Sequence, residues 1–135
     1  MPVALAVFLK VLVVAACGAI ATLGGSPVVS QLFRRVDGPD ADADGAAAPG
    51  VQAAAASLRG GHWIGILERL AIFATLVAGF AEGVAVVLAV KSLARYPELR
   101  ATTPGAAERF IIGTLASALF AAAFAGLAWW LIGLW

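Results

Sequence analysis

The residues best able to do chemistry are charged side chains that lie inside or beside strongly apolar segments. A charged side chain at the centre of a membrane helix costs about 2.5 to 3.5 kcal/mol on insertion scales, so such residues pair or face the protein interior. Counted at 1.5 Å per residue from the expected cytoplasmic ends of the second and third helices, Glu68 is about 9 Å deep and Lys91 about 7 Å deep. Antiparallel neighbouring helices would bring the two residues level, so we expect them to pair. We therefore predict one charged cluster, made of Glu68, Arg69, Lys91, Arg95 and Glu108.

The charged cluster has three candidate roles. It can hold helices in register through buried ion pairs, bind an anion or a lipid headgroup, or carry protons or ions through Glu68. The sequence has no serine, histidine and acid set at a shared depth, and no glycine-rich loop that continues into the Lys-Ser or Lys-Thr of a phosphate-binding motif. His62 is the single histidine and cannot build a metal site alone. We expect no catalytic residue, cofactor or metal, and we rank the structural role first, headgroup or anion binding second and transport third.

Lys10 and Glu82 form a second charged set, near the opposite end of the predicted helices. One interpretation is a direct contact between them. The other is that Lys10 extends its ammonium group to the headgroups while Glu82 stabilises the start of the third helix.

Composition assigns the chain to the membrane proteins. Of its 135 residues, 62% are hydrophobic and 13% are charged, which is outside the range of soluble domains. We predict an all-α integral membrane protein with four hydrophobic helices and a short cytoplasmic amphipathic helix. The single cysteine, Cys17, excludes an intrachain disulfide, and no basic tail indicates a nucleic-acid partner.

The apolar runs divide the chain into four parts. Residues 1–25 predict a first transmembrane helix that ends at Gly24-Gly25, with a cleaved signal peptide as the alternative. Residues 26–36 predict an amphipathic surface helix, with a solvated continuation of the first helix as the alternative. Residues 37–60 predict a flexible acidic linker, and residues 61–135 a three-helix membrane core.

Within the core, we expect helices at 62–80 and 82–96, a tight turn at 79–83, a break at Pro97, and a last helix from about residue 106. The uncharged parts of the first two are too short to span alone, so a re-entrant hairpin is the alternative to two spans. Small residues recur every four positions on the last helix, which predicts a close contact with another helix of this chain or of a second copy. These residues are Gly113, Ser117, Ala121 and Ala125.

The basic residues indicate an orientation. All of them except Lys10 lie in or beside the first and third connections. The excess of lysine and arginine in cytoplasmic loops then predicts a multi-pass protein of the plasma membrane with both termini extracytoplasmic. The expected partners are membrane lipid, a second copy of the chain in a homo-oligomer, and another membrane protein.

Three blocks resemble a bacterial membrane-protein family of unknown function. They are I-G-x-L-E-R at 64–69, A-x-K-S-x-x-R at 89–95 and E-x-x-x-I-G-T-L at 108–115, in the order found in that family. The resemblance covers about residues 61–117. It implies no activity, but its blocks contain every residue of the charged cluster.

Overall fold

The computed structural model describes residues 2–37, 59–101 and 104–134. They form four α-helices: α1 (Val3–Asp37), α2 (Arg59–Val77), α3 (Glu82–Ala101) and α4 (Pro104–Gly133). The described ranges contain no β-strand, so the all-α prediction is confirmed. Most of the predicted acidic linker, residues 38–58, lies outside the described residues, while its two ends belong to α1 and α2.

Two helices have the length and composition to cross a membrane. They are Val3–Leu32, of 30 residues, within α1 and Phe110–Gly133, of 24 residues, within α4. At 1.5 Å per residue they are about 45 and about 36 Å long, which exceeds the roughly 30 Å of a bilayer's hydrocarbon core. Large apolar side chains such as Phe8, Leu23 and Leu119 are exposed on them. These helices support the assignment to the membrane proteins.

Helix α1 is longer than the sequence predicted. It continues without a break from Val3 to Asp37 and contains Pro27. The predicted helix end at Gly24-Gly25 and the separate helix at 26–36 are therefore wrong, and residues 26–36 continue the first helix, as the alternative had it. A proline inside a helix costs about 3 kcal/mol because it lacks an N–H and its ring clashes with the preceding turn. The packing of α1 against α2 and α4 offsets that loss. The glycines allow this packing, since a Cβ on Gly24 would lie 3.3 Å from Phe120 Cζ.

Helix α2 ends in a Schellman motif. The N–H of Phe80 donates to the carbonyl of Thr75 at 2.8 Å, and the N–H of Gly79 donates to that of Leu76 at 3.0 Å. Gly79 has φ of +76°, a left-handed conformation that glycine adopts without strain. The chain therefore reverses through residues 78–81 into α3, close to the turn predicted at 79–83.

The end of α3 and the start of α4 differ from the sequence prediction. Helix α3 continues through Pro97 to Ala101, so the predicted break at that proline is wrong. The φ of proline, about −65°, is compatible with a helix, so the helix can continue although the missing N–H and the ring clash destabilise it as they do at Pro27. Helix α4 begins with Pro104, where the missing N–H has no partner to lose.

The core lies where α1, α2 and α4 meet, and α3 packs against α2. Small side chains dominate it, so the helix backbones approach closely. One buried cluster contains Cys17, Ala21, Phe73, Ala125 and Ala128, and a second contains Ile72, Ala118 and Ala121.

The small-residue face of α4 packs inside the chain. Ser117, Ala121 and Ala125 are buried and Gly113 is half-buried, and the face meets α1 and α2. The sequence left open whether this face packs on its own chain or on a second copy. The fold uses it within the chain.

Candidate functional site

The chain reversal at Gly79 places Glu68 level with Lys91. Glu68 lies nine residues before Val77, the last residue of α2, and Lys91 lies nine residues after Glu82, the first residue of α3. Lys91 Nζ donates a hydrogen bond to Glu68 Oε2 and forms an ion pair with it. The side chains are 18% and 3% exposed, respectively, so the pair is largely removed from solvent. The sequence predicted this pairing from the equal depth of the two residues.

Lys91 also reaches α4. Its Nζ lies 5.6 Å from the ring centroid of Phe110, within the range of a cation–π interaction. One ammonium group therefore links α3 to both α2 and α4.

Arg69 links α2 to α1 and α4. Its Nε donates to the carbonyl of Thr22 at 2.9 Å, and its Nη2 donates to Ser26 Oγ at 3.0 Å. A longer bond, of 3.4 Å, joins its Nη1 to Ser117 Oγ. The residue is 4% exposed, and these three acceptors are neutral oxygens.

Gly25 provides the space for this guanidinium. A Cβ at Gly25 would lie 2.6 Å from Arg69 Nε and 3.0 Å from its Cζ. Any side chain at Gly25 would therefore displace the planar group that makes the three hydrogen bonds.

These residues surround a cavity of about 200 Å³, to which all four helices contribute. We call it the polar cavity. Its charged side chains carry one excess positive charge, from two cations and one carboxylate. Its polar lining consists of Ser26, His62, Glu68, Arg69, Lys91 and Ser117.

Glu68, which lines the polar cavity, has one buried carboxylate oxygen without a described partner. Glu68 is 5% exposed, and its Oε1 accepts no hydrogen bond from any group that the structure describes. Leaving a buried acceptor unsatisfied costs about 1 to 3 kcal/mol, and more if it is charged. A proton, a water molecule, a cation or a ligand with an N–H or O–H group would satisfy it.

The polar cavity lies near one end of the two long apolar segments. Ser26 is six residues from the end of the Val3–Leu32 segment, a rise of about 9 Å. On α4, Gly113 and Ser117 are three and seven residues from the start of Phe110–Gly133, a rise of about 4.5 to 10.5 Å. Both helices thus place it at a similar distance inside the apolar region.

Glu108, which the sequence placed in the charged cluster, does not line the polar cavity. It is exposed and forms no ion pair with a side chain that the structure describes. Glu108 precedes Ser117 by nine residues, or two and a half turns, so the two residues lie on opposite faces of α4. The side chain of Arg95 lies outside the described residues.

Lys10 and Glu82 do not pair either. Their described side chains form no ion pair, so the direct contact considered from the sequence is wrong. Glu82 is the first residue of α3, where a negative charge interacts favourably with the helix dipole.

Sequence reasoning missed the contribution of α1 to the site. Arg69 binds the backbone carbonyl of Thr22 and the hydroxyl of Ser26, and the helix end predicted at Gly24-Gly25 placed these two residues in separate helices. They lie four residues apart, which places them on one face of a continuous helix with Gly25 beside them. The hydroxyl of Ser26 was the side-chain signal for this contact, since Thr22 contributes its backbone carbonyl.

No protein-family model, curated protein or solved structure matches this chain. The resemblance to a bacterial membrane-protein family therefore stays a prediction. The described ranges also contain no group of three or more histidine, cysteine, aspartate or glutamate residues arranged to hold a metal ion.

Proposed function

We propose that this chain is a non-enzymatic, multi-pass membrane protein in which the charged residues of the polar cavity organise the helices and bind a lipid headgroup. The observation that carries the proposal is the convergence of Glu68, Arg69 and Lys91 on one cavity to which all four helices contribute. The proposal treats α2 and α3 as membrane helices. Their 19 and 20 residues correspond to about 28 and 30 Å, close to the thickness of the hydrocarbon core.

The structural part of the proposal rests on the way each cation joins different helices. Arg69 bonds α2 to α1 and α4, and Lys91 bonds α3 to α2 while contacting Phe110 of α4. In lipid there is little hydrophobic drive for helices to associate, so polar contacts and close packing of small residues hold them together.

The binding part rests on charge, unused donors and depth. A guanidinium has five N–H groups and an ammonium has three, of which the protein uses three on Arg69 and one on Lys91. The remaining donors and the excess positive charge suit a phosphate. A site about 5 to 10 Å inside the apolar region is within reach of a lipid whose headgroup enters between helices.

The experiment counts phospholipids retained by the protein purified in a non-ionic detergent, using native mass spectrometry. Arg69→Gln is expected to lower the retained phospholipid, whereas Arg100→Gln, an exposed cation on α3, is the matched control and is expected to retain it. Val29→Phe fills the cavity without removing a hydrogen-bonding group, so it should also lower retention. Equal retention by Arg69→Gln, Val29→Phe and the wild-type protein would contradict the headgroup site.

A second candidate function is a small transporter or channel that uses Glu68 as a proton or ion site. The observation that favours it is the buried Oε1 without a described donor, since such a carboxylate can take up a proton or a cation. Protein reconstituted in liposomes would then carry a proton or ion flux that Glu68→Gln abolishes. Absence of flux in the wild-type protein would reject this alternative and leave the first proposal standing.

The proposal includes a plasma-membrane location with both termini extracytoplasmic, which the positions of the basic residues support. Reporter fusions at either terminus would test it, because a reporter active only in the cytoplasm should stay silent at both. Self-association stays a prediction, since the small-residue face of α4 that motivated it packs inside the chain. Counting of subunits in lipid would test that prediction.

A further inference from the structure

The polar cavity contains an acceptor as well as donors, and this combination restricts its ligand. We propose, on the basis of the headgroup site described above, that the cavity selects a phosphoethanolamine group, a phosphate joined to a primary ammonium. The phosphate would lie beside Arg69 and Lys91, and the ammonium would donate to Glu68 Oε1.

The carboxylate excludes a simple anion as the best ligand. Oε2 of Glu68 already accepts from Lys91, whereas the buried Oε1 accepts from no described group. An ionised carboxylate only accepts hydrogen bonds, and so does a fully ionised phosphate. A bare phosphate would therefore leave Oε1 unsatisfied and would place a second negative charge beside a carboxylate that is largely removed from solvent. A ligand that carries both a phosphate and an N–H group would satisfy the two cations and also the free carboxylate oxygen.

The cations supply the other half of the specificity. After its three hydrogen bonds to the protein, the Arg69 guanidinium retains two N–H groups, and the Lys91 ammonium retains two after its bond to Glu68. These donors stand next to a carboxylate within one cavity of about 200 Å³. The cavity thus presents positive and negative groups side by side, which matches a zwitterion.

This arrangement ranks the common phospholipid headgroups. Ethanolamine offers a positive charge and three N–H donors, glycerol offers neutral O–H donors, and choline offers a positive charge with no donor. A hydrogen bond between charged groups is stronger than one between neutral groups. We therefore expect ethanolamine to bind more tightly than glycerol, and at least about tenfold more tightly than choline.

The test uses the full chain in non-ionic detergent, titrated with synthetic phospholipids of identical acyl chains and measured by native mass spectrometry. Phosphatidylethanolamine is compared with its mono-, di- and trimethylated forms, which lose their N–H groups one at a time while the charge is retained. The expected result is a fall in affinity of about tenfold or more when the last N–H is replaced. This series needs no variant protein, so it does not depend on the folding of a mutant.

A charge-free replacement of the ion pair tests the role of Glu68. In Glu68→Gln combined with Lys91→Met, both charges of the pair are removed together, so neither is left buried and unpaired. The preference for the unmethylated lipid should fall to about threefold, since the amide oxygen of glutamine still accepts but a hydrogen bond to a neutral acceptor is about half as strong. Glu108→Gln removes an exposed carboxylate outside the cavity and should keep the full preference.

The outcomes separate this inference from the function on which it rests. Equal affinity for all four methylation states, with binding still lost in Val29→Phe, would overturn ethanolamine selectivity and leave the headgroup site intact. Binding of no phospholipid would overturn both. A parallel titration with free phosphoethanolamine shows whether the ligand is a lipid or a soluble molecule. If free phosphoethanolamine binds as tightly as phosphatidylethanolamine, the result supports a soluble ligand of the same chemistry. If it binds much more weakly, the result supports the lipid.

Discussion

Replacing Gly25 by alanine tests the packing that holds Arg69 in place. The added Cβ would lie 2.6 Å from Arg69 Nε and 3.0 Å from Cζ, so the guanidinium must move. Forcing one extra methyl group into a packed site costs about 1 to 3 kcal/mol. Loss of one hydrogen bond from the charged group adds about 1.5 to 3 kcal/mol, and the better helix propensity of alanine returns about 1 kcal/mol. We expect a net loss of about 1.5 to 5 kcal/mol in the free energy of unfolding.

The matched control is the same exchange at Gly126 of α4. A Cβ at Gly126 meets no atom within 4 Å, so Gly126→Ala should leave stability unchanged or raise it by up to about 1 kcal/mol. Stability can be measured by reversible unfolding in mixed micelles, followed through the fluorescence of the tryptophans. The comparison removes any general effect of alanine on a membrane helix.

A double-mutant cycle with Arg69→Ala identifies the cause. If the clash with Arg69 is responsible, Gly25→Ala should be far less harmful once that side chain is gone, and the coupling should be at least about 1 kcal/mol. A Gly25→Ala protein as stable as the wild type would refute the reasoning. Two strictly additive effects would show that the loss arises from another contact of α1.

Three further outcomes follow from the site and its surroundings. Lys91→Met alone should lower the free energy of unfolding by about 3 to 5 kcal/mol, because it leaves Glu68 buried without its partner. Adding Glu68→Gln should restore much of that loss, and unfolding measurements on the single and double variants would check both expectations. Glu108→Gln should leave the unfolding transition in place, because this carboxylate is exposed and outside the polar cavity, and a clear shift would contradict that placement. Trp129→Phe removes the hydrogen bond of 3.3 Å from Nε1 to the carbonyl of Leu76 and should lower the free energy of unfolding by about 1 kcal/mol in the same measurements; an unchanged value would show that this bond contributes nothing to stability.

The helical part of the fold could be predicted because local chemistry determines it. A chain with long apolar runs must satisfy its backbone hydrogen bonds internally when it enters lipid, and helices do so within each segment. Gly79 indicated the chain reversal because a residue with φ of +76° at a helix end favours glycine. These features depend on residues close together in sequence.

The ends of α1 and α3 could not be predicted in the same way. Gly24-Gly25 followed by Ser26-Pro27 is a common helix end, yet α1 continues because its glycines pack against Arg69 and Phe120. A glycine that ends a helix and a glycine that allows two helices to touch have the same local sequence. The neighbouring helix decides between them.

For the site, the sequence by itself indicated that Glu68 and Lys91 lie at a similar depth, because each is only a few residues from the predicted cytoplasmic end of its helix, at about 9 and about 7 Å. Tertiary structure decided which groups surround them. It brought α1 to Arg69, turned Glu108 away from the cavity and left Oε1 of Glu68 without a described donor. The physical reason is that the rise along a helix is fixed by its hydrogen bonds, whereas the face that each helix turns to its neighbours is fixed by side-chain packing across the whole bundle.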